Sequence, residues 1–174
     1  MAKINKSING IIERATTKKL VAILNQALSS QTSGVLVIGK TYLISAVLST
    51  DSFANVGHVT DGVPFIATGT TPTTWTNSTI VIDVEASKPI ATELENDTQI
   101  SFTWDITAKG TYKLTSSQPI FDAGKTQVVF GLNANGYTYK GVISSSTVLT
   151  FTQNSGATAT DGMVNVPVEI TVYP

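Results

Sequence analysis

The chain closes on a run that alternates almost without fault. Val164, Val166, Val168, Ile170 and Val172 fall on one side, and Asn165, Pro167, Glu169, Thr171 and Tyr173 on the other. A period of two is the signature of a strand with one buried face. Burying the five apolar side chains yields about 8–15 kcal/mol, at about 1.5–3 kcal/mol each. Ordering the residues of the strand costs about 9–18 kcal/mol in backbone entropy alone. The two terms cancel, so this strand persists only within a larger sheet with an apolar layer facing it. Pro167 has no N–H to give to a ladder, which predicts an edge position or a bulge.

The composition agrees with an all-β body. Charged residues are only 13% of the 174, and Thr and Ser together make up about a quarter. Thr favours pleated strands and Ser favours turns. Weakly charged polar faces suit symmetric self-association better than steering by charge. The net charge of −1 is unevenly spread. Residues 1–30 carry Lys3, Lys6, Arg14, Lys18 and Lys19 against Glu13 alone, which leaves the rest near −5. A basic head on an acidic body points to an N-terminus that docks on something acidic. Five basic residues without an aromatic platform argue against nucleic acid as that partner.

Cysteine is absent, which excludes disulfides and thiolate chemistry. A Cys-free β protein working outside a cell then needs oligomerisation for durability. The apolar run Leu20–Leu24 is too short and too deep in the chain for a signal peptide, so no cleaved leader is expected. No apolar stretch is long enough to span a membrane.

Along the chain, Ile4, Ile8, Ile11, Ile12 and Ala15 recur at helical spacing, and Leu20, Leu24, Ala27 and Leu28 form a second stripe that Thr16 or Thr17 would cap. Residues 1–33 are therefore read as a helical attachment segment. Residues 34–96 read as a small β module. It holds strands at Val35–Ile38, Thr41–Leu48, from Phe65 and at Ile80–Val84, and a single helical turn near Asp51. Val81 sits on what should be the polar face of its strand. The acidic stretch from Ala86 to Asp97 reads as a linker. Residues 97–174 read as a sandwich. Phe102, Trp104 and Ile106 share one face, Tyr112 and Leu114 follow, and Val128, Phe130 and Leu132 share another. A tight turn is expected at Asn135-Gly136, before Tyr137 and Tyr139. The predicted class is mainly β: a short N-terminal helical segment followed by two small antiparallel β modules, the second a β-sandwich.

Few motifs carry chemistry. Gly34 to Thr41 spells the P-loop pattern, and Ile80 to Asp83 mimics a magnesium-holding strand. A P-loop must open a helix toward phosphate, whereas Val35–Ile38 and Tyr42–Ser45 both read as strand. The expected structure is two strands joined at Gly39-Lys40. His58 is the sole histidine, with Asp51 and Asp61 nearby in sequence, and is read as a loop residue and not a metal ligand. A single His without Cys leaves no nucleophilic triad to assemble. Glu93, Glu95 and Asp97 lack the glycine and length of a calcium loop. No catalytic residue, cofactor site or metal site is assigned. Trp75, Trp104, Tyr112, Tyr137, Tyr139 and Tyr173 would serve either as core or as a sugar-stacking surface. Tyr137 and Tyr139, beside the turn, are the candidate ligand contacts.

The stretch from Gly39-Lys40-Thr41-Tyr42 through Trp75 resembles a β module of tailed-bacteriophage virion appendages, of the head-fibre or tail-fibre type. In that family a Tyr-containing strand leads into an Asp-Phe-Thr-Asn-Val-Gly-Ala turn and then an Ala-Thr-Gly-Thr-Thr-Pro-x-x-Trp corner. Here Tyr42, Asp51, Phe53, Asn55, Val56, Gly57, Ala67, Thr68, Gly69, Thr70, Thr71, Pro72 and Trp75 match, with Ala54 for Thr and His58 for Ala. The match covers about a third of the chain. Phe53 and Trp75 are expected to staple turn and corner to one small core. The resemblance implies a structural virion protein with no enzymatic activity, made in the bacterial host cytoplasm and carried on the particle. It also implies a homotrimer, or else a dimer, that contacts other virion proteins such as capsid. Attachment would run through Lys3, Lys6, Ile8, Ile11, Arg14, Lys18 and Lys19. The alternative is an adhesin whose C-terminal module binds a host-surface glycan or protein.

Overall fold

The computed structural model describes residues 4–6, 12–14, 16–131, 136–156 and 158–174. β1 (Ile4–Lys6) and β2 (Ile12–Arg14) pair with each other and with no other strand among the described residues. Then follow β3 (Lys18–Asn25), β4 (Ser30–Gln31), β5 (Thr41–Ile44), β6 (Phe65–Ile66), β7 (Val81–Asp83) and β8 (Ile90–Asn96). The second half holds β9 (Phe102–Ala108), β10 (Thr111–Ser116), β11 (Thr126–Phe130), β12 (Thr138–Ser145), β13 (Val148–Ser155), β14 (Thr158–Ala159) and β15 (Val166–Val172). Short 3-10 turns lie at Ala54–Val56 and Glu85–Ser87.

The helical reading of the N-terminal segment is corrected. Residues 18–25 form β3, an interior strand paired with β15 on one side and β8 on the other. Leu20 and Leu24 misled because a spacing of four fits a helical stripe and a strand face equally well. Ala22 between them, flanked by half-buried Val21 and Ile23, decides for the strand. No helix is capped at Thr16 or Thr17. Ile4 and Ile12 lie in β1 and β2, whereas Ile8, Ile11 and Ala15 lie outside the described residues.

Two antiparallel sheets face one core. The first has the order β11-β15-β3-β8, and the second β12-β13-β10-β9, with β14 also paired to β13. Inward pairs Val166–Leu24, Val168–Ala22 and Ile170–Leu20 lie in register across the first sheet. Against them pack Trp104, Ile106, Tyr112, Leu114, Leu149 and Phe151 from the second. The alternation expected of the last strand holds for Val166, Val168 and Ile170, whereas Val164 precedes the strand and is exposed. Pro167 is not on an edge strand. It sits at the β11 side of β15, just past the end of that ladder, where its carbonyl accepts Gly131 N–H at 2.8 Å. Its ring fills the space over Gly131, where a Cβ would come within 2.9 Å of it.

The expected boundaries at 33/34 and 96/97 are both crossed by hydrogen-bonded sheet. The sandwich recruits β3 and β8 from outside residues 97–174, so the acidic stretch read as a linker is an edge strand. The small module is thereby an insertion between β3 and β8. Its own sheet has the order β4-β7-β5-β6. Val35–Ile38 is not a strand; Leu36 alone of the four is buried. β5 and β7 are buried on both faces. Tyr42, Ile44 and Val81 enter the small core with Phe53, Val56, Phe65 and Ala67, while Leu43, Ile82 and Val84 join the sandwich core. That double burial explains why Val81 breaks the expected polar face.

Candidate functional site

The residues between Leu48 and Thr79 close on a buried carboxylate. Asp51 accepts five hydrogen bonds, from Thr79 Oγ1 (2.7 Å), Thr76 N–H (2.7 Å), Asn77 N–H (2.9 Å), Thr79 N–H (3.1 Å) and Asn77 Nδ2 (3.2 Å). Burial alone would raise its pKa, but these donors together outweigh that and hold the carboxyl well below the usual range. Thr79 Oγ1 in turn accepts Leu48 N–H at 2.9 Å. Asn55 clamps the neighbouring loop: its Nδ2 donates to Thr71 O at 2.8 Å and its Oδ1 accepts Thr73 N–H at 2.9 Å. Phe53 meets Trp75 edge-on at 5.2 Å, and the Trp75 indole N–H donates to Thr79 O at 2.8 Å. Gly57 adopts φ +101° in a spot where a Cβ would stand 2.7 Å from Ile66 O, so only glycine fits. Turn and corner are thus one locked unit, with Phe53 and Trp75 as its staple.

A second polar cluster, announced by no local motif, lies at one end of the sandwich. Tyr112 OH donates to Gln26 Oε1 at 2.8 Å and stands 3.3 Å from Asp161 Oδ1. Gly110 N–H donates to Asp161 at 2.6 Å, and Gly162 N–H to Gln26 Oε1 at 2.8 Å. Gln153, fully buried, gives its Nε2 to Gly162 O at 3.0 Å, and its Oε1 has no hydrogen-bond partner among the described residues. Burial pushes the Asp161 carboxyl above its ordinary pKa, against the pull of the Gly110 N–H. The same burial pushes the Tyr112 phenol up strongly, and the charge of Asp161 adds to it.

The motif residues fall elsewhere. Thr41 opens strand β5 and no helix follows it; Lys40 Nζ pairs with Asp83 Oδ2 at 2.8 Å. Ser29, Ser30, Gln31 and Tyr42 join that pair around a shallow pocket of about 210 Å³. His58 Nε2 lies 3.3 Å from Asp61 Oδ1, with its ring against Phe53 and Phe65, while Asp51 is engaged with residues 76–79. Among the described residues no three His, Cys, Asp or Glu side chains gather as metal ligands would.

Of the attachment candidates, Lys3, Ile8 and Ile11 lie outside the described residues, and Lys6 and Arg14 fall in β1 and β2. Lys18 is exposed at the start of β3. Lys19 belongs to the sheet: its Nζ pairs with Glu169 at 3.1 Å and Glu95 at 3.9 Å. The candidate ligand contacts Tyr137 and Tyr139 are both half-buried. Tyr139 stacks on Phe130 at 5.2 Å and packs on the sandwich core. Trp104 and Tyr112 are core residues, and Tyr173 OH donates to Gln127 Oε1 at 3.0 Å.

On the open side of the sandwich, where β8 and β9 end their sheets, a groove of about 420 Å³ runs between Ile90, Ala91, Glu93, Phe102, Trp104 and Asp105. The fold thus defines a class, an antiparallel β-sandwich carrying an inserted β module. Compared with protein-family models, curated proteins and solved structures, the chain matches none.

Proposed function

We propose that this protein is a structural component of a bacteriophage virion, a head fibre or similar surface appendage held to the particle by its N-terminal residues and without catalytic turnover. One observation carries the reading. The residues by which segment 39–75 resembles the phage module are those that lock together in space: Asp51, Phe53, Asn55, Gly57 and Trp75 form the hub, with Thr71 as an acceptor in it. Each is used for holding the corner shut, which suits a building block that must stay folded on an exposed particle. The sparse charge and the Thr-rich sheets support the same role, as does the small module braced against the sandwich by β5 and β7.

The appendage is read as a homotrimer located on the virion. Cryo-microscopy of intact particles, with the chain fitted to the density, is the decisive test. The expected result is copies projecting from the particle surface with residues 1–15 toward it. Particles of full composition lacking the chain would overturn the reading. A solution mass corresponding to a stable monomer at all concentrations would overturn the trimer.

A further inference from the structure

Two parts of this chain lack a partner among the described residues. β1 and β2, three residues each, pair there only with each other. A two-stranded ribbon of that size is not stable in water by itself. β8 is the converse: seven residues whose outer edge carries no strand among the described residues. Ile90 is 69% exposed on it and Leu94 62%. An open strand edge with exposed apolar side chains invites pairing with another chain unless charge or a covering element blocks it.

The charges say which strand fits. Near the edge, Lys88 is committed to Glu85 at 2.7 Å and Asp105 at 2.9 Å, and Lys19 to Glu169 and Glu95. Glu93 and Asp97 are exposed and form no close ion pair among the described residues, although Lys19, already shared by two glutamates, also feels the charge of Asp97. The edge is therefore acidic. It repels a second β8, and it attracts a strand that carries cations together with aliphatic residues. Within this chain residues 3–14 have that character: Lys3, Lys6 and Arg14 against Glu13, interleaved with Ile4, Ile8, Ile11 and Ile12.

We infer that the open edge of β8 is the acceptor for the β1–β2 ribbon of a second copy of this chain, which extends the β11-β15-β3-β8 sheet across the subunit boundary by strand addition. The inference rests on the oligomeric reading above and names the surfaces that meet. Backbone pairing along β8 supplies affinity, and the ribbon's sequence brings cations and aliphatic residues to an acidic edge with exposed Ile90 and Leu94.

The test uses the full chain and its mass distribution in solution as a function of concentration and salt. Reversing the donor (Lys3→Glu, Lys6→Glu, Arg14→Glu) or the acceptor (Glu93→Lys, Asp97→Lys) should weaken association at least tenfold, with unchanged Tm of the monomer. Combining both reversals should restore association, and NaCl should weaken the wild type. Because the chain has no cysteine, Asn5→Cys with Leu94→Cys gives a clean second measurement, a disulfide that links two copies. Oligomers indifferent to both reversals would overturn the inference and leave the oligomeric reading standing. A concentration-independent monomer would overturn both. A disulfide closed within one chain would show that the ribbon covers its own edge and would overturn the second copy as occupant.

Discussion

Two aspartates, Asp51 buried and Asp161 half-buried, anchor two regions of this molecule, and their surroundings push them in opposite directions. Asp51, in the inserted module, collects five donors, all of them from the short stretch Thr76–Thr79. Three are backbone N–H groups and two are the side chains of Asn77 and Thr79, so a single loop wraps one carboxylate. Asp161, at the end of the sandwich, has one close donor, Gly110 N–H. Tyr112 has one proton to give, and Gln26 is the nearer acceptor. Donor supply therefore decides the outcome. Desolvation opposes the charge on both carboxyls, but only the Asp51 loop brings enough N–H and O–H groups to favour the charged form. The corner is built around an anion, whereas the sandwich end tolerates one.

Substitutions in the two regions should have unequal effects. The largest effect is expected of Phe53→Ala, which empties the centre of the small core and should cost about 3–5 kcal/mol in denaturant unfolding. If the insertion melts by itself, the transition will split in two while Trp104 fluorescence still reports a folded sandwich. Next is Asp51→Asn, which keeps the shape but loses the charge that the loop was built to bind. The folded pKa of Asp51 lies below its unfolded value, so its stabilisation is present above about pH 4 and is lost as pH falls through the folded value. The variant should be clearly less stable than wild type at pH 7, and the gap should close on acidification. A gap independent of pH would refute the role of the anion.

Tyr112→Phe should cost about 1 kcal/mol, since Gln26 Oε1 keeps the Gly162 N–H. Asp161→Asn should have the smallest effect and the opposite sign. The folded pKa of Asp161 is raised, so its contribution is full below about pH 4 and is lost as pH rises through the folded value. An amide mimics the protonated acid, so the variant should match wild type in acid and equal or exceed it at pH 7 in Tm. A loss at pH 7 matching that of Asp51→Asn would erase the contrast between the two regions.

Much of the β body was legible in the sequence. Phe102, Trp104 and Ile106, Tyr112 and Leu114, and Leu149 and Phe151 alternate, and each buried member of these pairs lies in the core of the sandwich. The staple of Phe53 and Trp75 was legible too, through the resemblance of its turn and corner residues to a known β module. The polar hub at Asp161 was not. Its members, Gln26, Gly110, Tyr112, Gln153, Asp161 and Gly162, are scattered across 136 positions at the widest separation, and none forms a local motif. Nor was β3 as a strand, since its two leucines satisfy both periods at once.

Alternation by itself determined that this protein is made of sheets, because a strand's two faces follow from residue order alone. Which strands became neighbours was decided only in three dimensions. The pairing of β3 with β15, and the insertion of a whole module between β3 and β8, depend on contacts more than a hundred residues apart or on the closure of a long loop. A local pattern states that a face must be buried; only the packed core settles what covers it.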